Sequence, residues 1–161
     1  MTNVGIVSDT HGRVEFARPA VRMLESLDVG LVIHCGDIGT VDIVRLFKPW
    51  KTHYVFGNCD DERQELREAM AAAGHVCHER FGTLDIDGVR IAFLHGDDGR
   101  LLRDTIAGDQ FALVCHGHTH IAEQHRVGST MVLNPGALYR ASPHSFAVVS
   151  LPELAVTTIP V

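Results

Sequence analysis

The chain has no apolar run approaching the roughly 18–20 residues that a helix needs to cross a bilayer, so no membrane-spanning segment is expected. Strand-like sequence begins at Asn3, so no secretory leader is expected, and the expected location is cytoplasmic. Cysteine is sparse. Cys35, Cys59, Cys77 and Cys115 form no C-x-x-C pair, which excludes a zinc knuckle and a thioredoxin-type redox motif. Disulfides are not expected in a reducing compartment, and Cys35 and Cys115 read as small buried residues closing strand ends. Basic charge is not in excess either. A formal charge of −6 disfavours stable nucleic-acid binding, which needs a basic face. Small phosphorylated substrates stay open, because bound cations can reverse the local field. No low-complexity stretch, linker or internal repeat interrupts the 161 residues, so a single domain over 1–161 is expected.

What the chain does have is a set of five short segments carrying metal-type ligands, each placed where a hydrophobic run ends. They are Asp9-Thr10-His11, Gly36-Asp37, Gly57-Asn58, His95-Gly96 and His118-Thr119-His120. The runs before them, VGIVS, LVIHC, HYVF, RIAFL and ALVCHG, read as buried strands of an α/β sheet. In such folds ligands bind outside the carboxyl ends of the strands. Seven candidate ligands would thus gather at one edge: Asp9, His11, Asp37, Asn58, His95, His118 and His120. That is too many for one tetrahedral zinc and suits two metals sharing a carboxylate. In an extended stretch, residues two apart point to one side, so Asp9 with His11 and His118 with His120 can each serve one site. Carboxylate, imidazole and amide donors suit manganese, iron, nickel, cobalt or zinc, and not calcium.

The first half alternates strand and helix: strands near 3–8, 30–35 and 52–56, helices near 15–27 and 40–48. In the first helix Phe16, Ala20, Leu24 and Leu27 fall at helical spacing. A third helix opens at Asp61 with a capping-box-like Gln64 and closes at Gly74. This pattern predicts right-handed βαβ units in a parallel sheet. Asp87-Gly88 then signals a hairpin between 81–85 and 89–94. After a helix over 99–107, for which Asp98 is a candidate cap, strand-like runs at 111–116, 122–127, 130–133, 145–150 and 154–159 have no helices between them. They predict a mixed, partly antiparallel second sheet. The expected fold class is α/β, a four-layer αββα sandwich of two mixed β-sheets flanked by helices.

Taken in order, Val7-Ser8-Asp9-Thr10-His11-Gly12, Cys35-Gly36-Asp37-Ile38, Gly57-Asn58-Cys59-Asp60, His95-Gly96 and Gly117-His118-Thr119-His120 resemble the calcineurin-like metallophosphoesterases. They are most similar to its small, cap-less bacterial and archaeal phosphodiesterases. The likeness covers nearly the whole chain and closes with Asn134-Pro135-Gly136. It implies that Asp9, His11 and His120 hold one divalent ion and that Asn58, His95 and His118 hold a second. Asp37 would bridge the two. Asn58, Asp37 and His95 are then the catalytic candidates, and manganese is the first choice of metal. The implied reaction is phosphodiester hydrolysis by a bridging hydroxide between ions roughly 3.5–4 Å apart. The implied partner is a small phosphoester, and a homo-oligomer stays open. The alternatives are a phosphomonoesterase or nucleotide pyrophosphohydrolase of the same fold, and a non-catalytic scaffold like the retromer subunit. Scaffold drift should erode the ligand set, and here all seven positions are intact.

Two positions depart from the wider superfamily. Cys59 stands where a histidine usually protonates the leaving group, and a thiol is a poor general acid for an alkoxide. Asp97 stands where many relatives have another histidine. Cys59, Asp60 and Asp97 are therefore candidates for the leaving-group position or for supporting roles, and Asp60, Asp97 and Asp98 for carboxylates that fix the histidine tautomers. His34 and His116 read as structural, and His53, His75, His78, His125 and His144 mostly as surface residues. Arg13, Arg63 and Arg140 follow motif segments and read as solvated, with phosphate contact as the alternative.

Overall fold

Val4, Ile6, Ile33, Ile91, Phe93, Leu113 and Leu133 come from strands far apart in the chain, yet they form one buried apolar layer. That layer lies between two β-sheets. The computed structural model describes residues 1–161. In chain order the elements are β1 (Thr2–Val7), α1 (Val14–Ser26), β2 (Leu31–His34), α2 (Val41–Leu46), β3 (Lys51–Tyr54), α3 (Arg63–Ala72) and β4 (Val76–Cys77). Then come β5 (Phe81–Ile86), β6 (Val89–Leu94), α4 (Gly99–Ala107), β7 (Leu113–Cys115), β8 (Glu123–Val127), β9 (Thr130–Asn134), β10 (Ser145–Leu151) and β11 (Ala155–Pro160). The first sheet has the order β11-β10-β1-β2-β3-β4, the second β5-β6-β7-β9-β8.

On the outer face of the first sheet, Val7, Val32, Tyr54, Phe146 and Val148 pack against Ala17, Ala20 and Leu24 of α1, Ile43 of α2 and Leu66 and Met70 of α3. On the outer face of the second, Ala92, Leu94 and Val114 pack against Leu102 and Ile106 of α4. The result is the expected four-layer α/β sandwich of two mixed sheets. No helix is long and apolar enough to cross a membrane.

Several local expectations need correction. Strands β1 to β4 are parallel as the alternation implied, but β10 and β11 join this first sheet, antiparallel, instead of the second. The reason is that SFAVVSL is apolar on both faces. Its Phe146 and Val148 meet the helices while Ala147, Val149 and Leu151 meet the other sheet, which is the double burial that pairing with β1 gives. The buried face of α1 is Ala17, Ala20, Val21 and Leu24, while Phe16 and Leu27 are 38% and 36% exposed. The cap of α3 is Glu62, which makes no side-chain capping bond, and Gln64 turns instead to Glu68. Asp98 does cap α4, accepting the Leu101 N–H at 3.0 Å. At the hairpin, Asp87 and Gly88 both have positive φ, 52° and 77°, as a type I′ turn requires.

The two-residue strand β4 has no counterpart in the sequence reading, and its presence changes the histidines around it. His53 and His75 are buried, not on the surface. His75 accepts the Thr52 N–H, and a ring nitrogen of His53 lies 2.9 Å from one of His78. Too short for a periodic signal, β4 turns what reads as a loop into a covered sheet edge.

Candidate metal centre

Asp9 follows β1, Asp37 follows β2, Asn58 follows β3, His95 follows β6 and His118 and His120 follow β7, so both sheets deliver their carboxyl ends to one place. The expected extended geometry is absent. Asp9, His11, Asp37, His118 and His120 have φ of 56°, 45°, 53°, 70° and 61°, all left-handed. Side chains rarely adopt that region, and each such residue costs on the order of 1–3 kcal/mol, so it persists only where the surroundings force it. Here the surroundings do. The Asp9, His11 and Gly12 N–H groups donate to the Gly36, Asp37 and Ile38 carbonyls at 3.0, 2.9 and 2.8 Å, locking two loops together. Tight left-handed bends, rather than strand alternation, thus bring Asp9 and His11, two residues apart, into one ligand trio.

Close approach demands glycine at two points. A Cβ on Gly57 would strike the Asp37 carboxylate, and one on Gly117 would strike Ser8 Oγ and Asp9 Oδ2. Oδ2 of Asp9 is already occupied, accepting from Ser8 Oγ at 2.6 Å and from the His118 N–H at 3.1 Å. Asn134 braces the histidine loop, donating from Nδ2 to Gly117 O and Thr119 Oγ1, both at 3.0 Å. Ser8 and the Asn134 side chain were not singled out from sequence. A hydroxyl before Asp9 and an amide opening the Asn-Pro-Gly turn were the signals present.

The free oxygens of the two aspartates face imidazole nitrogens. Asp9 Oδ1 lies 3.1 Å from His120 Nε2, 3.6 Å from His11 Nε2 and 3.9 Å from His95 Nε2. Asp37 Oδ2 lies 3.2 Å from His95 Nε2 and 3.5 Å from His11 Nε2, while its Oδ1 accepts the Cys59 N–H at 2.8 Å. His95 Nδ1 is 2.7 Å from the Cys35 carbonyl and His120 Nδ1 is 3.2 Å from the Arg140 carbonyl. A carbonyl only accepts, so each ring carries its proton on Nδ1 when neutral and turns a bare Nε2 toward the carboxylates. Tautomer control therefore comes from backbone carbonyls, not from the carboxylates expected.

Lone pairs facing carboxylate oxygens need a positive charge between them. Asp9 Oδ1 and His95 Nε2 are both buried with no hydrogen-bond partner, an arrangement that is costly unless a cation or a proton fills it. The ligand atoms fall into overlapping trios within 4.8 Å: Asp9, His11 and His120; Asp9, Asp37 and His95; and His11, Asp37 and Cys59. Without a metal the same charges act on one another. Burial alone would raise the carboxyls of Asp9 and Asp37, but the neighbouring imidazoles hold both below the usual carboxylate range. Burial would lower the His95 imidazole, yet Asp37 and Asp9 outweigh it and push it up. The donor set fits divalent cations.

The remaining site candidates are placed less uniformly. His118 packs edge-on against His95, ring centroids 5.1 Å apart. Asn58 is exposed, and its amide nitrogen points at Cys59 Sγ, 3.6 Å away. Cys59 is exposed at the cluster, and in the metal-free protein partial burial together with Asp37 and Asp60 pushes its thiol up. Asp60 makes no hydrogen bond or ion pair with a histidine; it accepts the Gly57 and Gly39 N–H groups at 2.8 and 3.0 Å and ties two ligand loops together. Asp97 pairs with Arg80 at 2.8 Å, away from the trios. His34 and His116 are structural as read. His34 is buried, 2.9 Å from Thr10 Oγ1, and His116 turns to Glu123 at 3.4 Å.

This geometry has relatives. A phosphodiesterase of Methanocaldococcus jannaschii is 29% identical over 136 residues, spanning 83% of this chain and 82% of its own. The solved structure of an archaeal phosphodiesterase superposes with a TM-score of 0.92 at 25% identity, covering 99% of this chain and 100% of that one. Vps29 of Chaetomium thermophilum superposes with a TM-score of 0.72 at 15% identity, over 99% and 95% of the two chains, a likeness of fold alone. The family model of the calcineurin-like phosphoesterase superfamily domain matches residues 2–153, which contain all five ligand segments, and the chain belongs to that superfamily.

Proposed function

We propose that this chain is a metal-dependent phosphodiesterase acting on a small phosphoester with two divalent ions, manganese first among them. Asp9, His11 and His120 would hold one ion, Asn58, His95 and His118 the other, and Asp37 both. The observation that carries the reading is the pair of orphaned buried atoms, Asp9 Oδ1 and His95 Nε2, within one cluster of carboxylates and bare imidazole nitrogens. Bound cations would supply neutralisation of phosphoryl charge and acidification of a water for attack. The chain's own groups prepare that chemistry. Cys59 N–H fixes one oxygen of Asp37 and leaves the other between His11 and His95. Cys35 and Arg140 carbonyls aim His95 and His120. Exposed Asn58 is free to turn its amide to a phosphoryl oxygen.

The test is metal analysis of protein purified without chelator or nickel affinity. Turnover of bis(p-nitrophenyl) phosphate, p-nitrophenyl phosphate and ATP, with manganese and after chelation, completes it. Preferential, metal-dependent cleavage of the diester is expected. Cleavage of only the monoester or only ATP would move the activity to the phosphomonoesterase or pyrophosphohydrolase reading. Bound metal with no turnover of any substrate would sink the hydrolase reading.

A further inference from the structure

Tyr139 stands beside the metal cluster, its ring centroid 5.6 Å from that of His11. The Arg13 and Arg140 guanidinium carbons lie over this one ring, 5.0 and 5.2 Å from its centroid. Arg13 Nη2 also donates to the Tyr139 hydroxyl at 3.5 Å. The two cations arrive from different loops. Arg13 follows His11-Gly12, and Arg140 is the residue whose carbonyl orients His120. Both guanidinium groups are exposed.

Two cations gathered on one ring repel each other, and an aromatic face offsets only part of that. Carboxylates do little here. Arg13 has only Glu15, 4.0 Å away and itself exposed, and Arg140 takes part in none of the molecule's ion pairs. In a chain of net charge −6, this pairing marks a local positive spot next to the candidate ligands. With guanidinium groups over the ring and Phe16 stacked against it at 6.0 Å, the tyrosine has little face left for a flat base. Both arginines remain exposed, and a guanidinium group is the geometry that takes phosphate. On the other side of Arg140, a cavity of about 610 Å³ opens between His120, Ile121, Ser142 and Pro143, room enough for one arm of a substrate.

We infer that Arg13, Tyr139 and Arg140 form an anion subsite on the His11–His120 side of the cluster. The preferred substrate is then a phosphodiester that carries a second phosphoryl group on one arm. This rests on the proposed diesterase reading for its catalytic consequence, but not for the existence of the subsite. Tyr139 acts as the positioning residue and the two arginines as the binding groups.

The direct test is a titration of the full-length chain with inorganic phosphate, zinc-bound and after chelation, watched through the arginine Nε–Hε signals in ¹⁵N NMR. Arg13 and Arg140 should shift saturably in both forms, and Arg18 and Arg22 of α1 should not. Silent Arg13 and Arg140, or equal shifts at all four, would overturn the subsite whether or not the protein is an enzyme. The second arm compares thymidine 5′-(p-nitrophenyl phosphate) with its 3′-phosphorylated form on manganese-loaded protein. The 3′-phosphorylated aryl diester should be favoured at least about tenfold in kcat/KM, mostly through KM, as charge-assisted contacts to one phosphate imply. Arg13→Gln with Arg140→Gln should bring the ratio toward one, and Arg140→Lys should restore part of it. Absence of the preference, or its survival in the double variant, would overturn the assignment of the substrate.

Discussion

Asp37 Oδ2 and His95 Nε2 lie 3.2 Å apart, yet no hydrogen bond joins them in the neutral state, because the His95 proton sits on the nitrogen facing the Cys35 carbonyl. The two residues are held together by neighbouring loops with their electron-rich atoms toward each other. Only a positive charge makes the arrangement favourable, and that requirement underlies the predictions for the site.

Asp37→Asn should abolish most activity and lower metal content at both positions. An amide lacks the charge to hold two cations, while its size keeps the loop in place. Elemental analysis alongside diester turnover checks it. Near-normal turnover with two metals bound would refute the role given to Asp37.

Chelation should lower the melting temperature and leave the fold intact. Metal that binds the folded chain and not the unfolded one stabilises by about 3–4 kcal/mol at a few hundred-fold saturation. The apolar layers between and outside the sheets do not depend on it. A melting temperature unchanged across a manganese titration would contradict metal binding.

A thiol is a poor hydrogen-bonding acid, so with Cys59 at the cluster departure of the leaving group should depend steeply on that group's own acidity. Aryl diesters with a leaving-group pKa of about 7 should be cleaved well and alkyl diesters poorly. Cys59→His should narrow the gap, since general acid catalysis is worth roughly 10²–10⁴-fold. A diester series graded by leaving-group pKa, run on both proteins, decides it. A flat dependence in the wild type would point to another proton donor.

His34 carries a pH-dependence unconnected with turnover. Burial lowers its imidazole to about 3, and its Nδ1 accepts the Gly36 N–H while Nε2 meets Thr10. The unfolded imidazole takes up a proton near the ordinary 6.5, so between these values the unfolded chain binds more protons. Stability is therefore present above pH 6.5 and falls as pH drops toward 3. The slope is at most about 1.4 kcal/mol per pH unit, or about 2 kcal/mol between pH 6.5 and 5. Urea denaturation of the chelated protein at pH 7 and 5 should show this loss, and His34→Asn should remove about that share of it. Identical pH slopes in the two proteins would show that His34 titrates normally.

The sequence determined that polar groups stand where the apolar strands end. Apolar runs rich in β-branched residues, each ending at a ligand, placed Asp9, Asp37, Asn58, His95, His118 and His120 at strand ends, because a buried strand must stop where polar atoms begin. The hairpin at Asp87-Gly88 and the Asp98 cap were legible for the same kind of reason: each is a local rule satisfied by neighbouring residues. Tertiary structure decided what depends on residues far apart in the chain. It sent β10 into the first sheet, where both of its apolar faces find partners, and paired β4 with β3, which buried His53 and His75. It also bent Asp9, His11, Asp37, His118 and His120 into left-handed conformations held by hydrogen bonds from other loops. The gathering of Arg13 and Arg140 on Tyr139 belongs to the same class. No spacing rule connects residues 13 and 140; only the return of the chain beside β1 puts them on one ring.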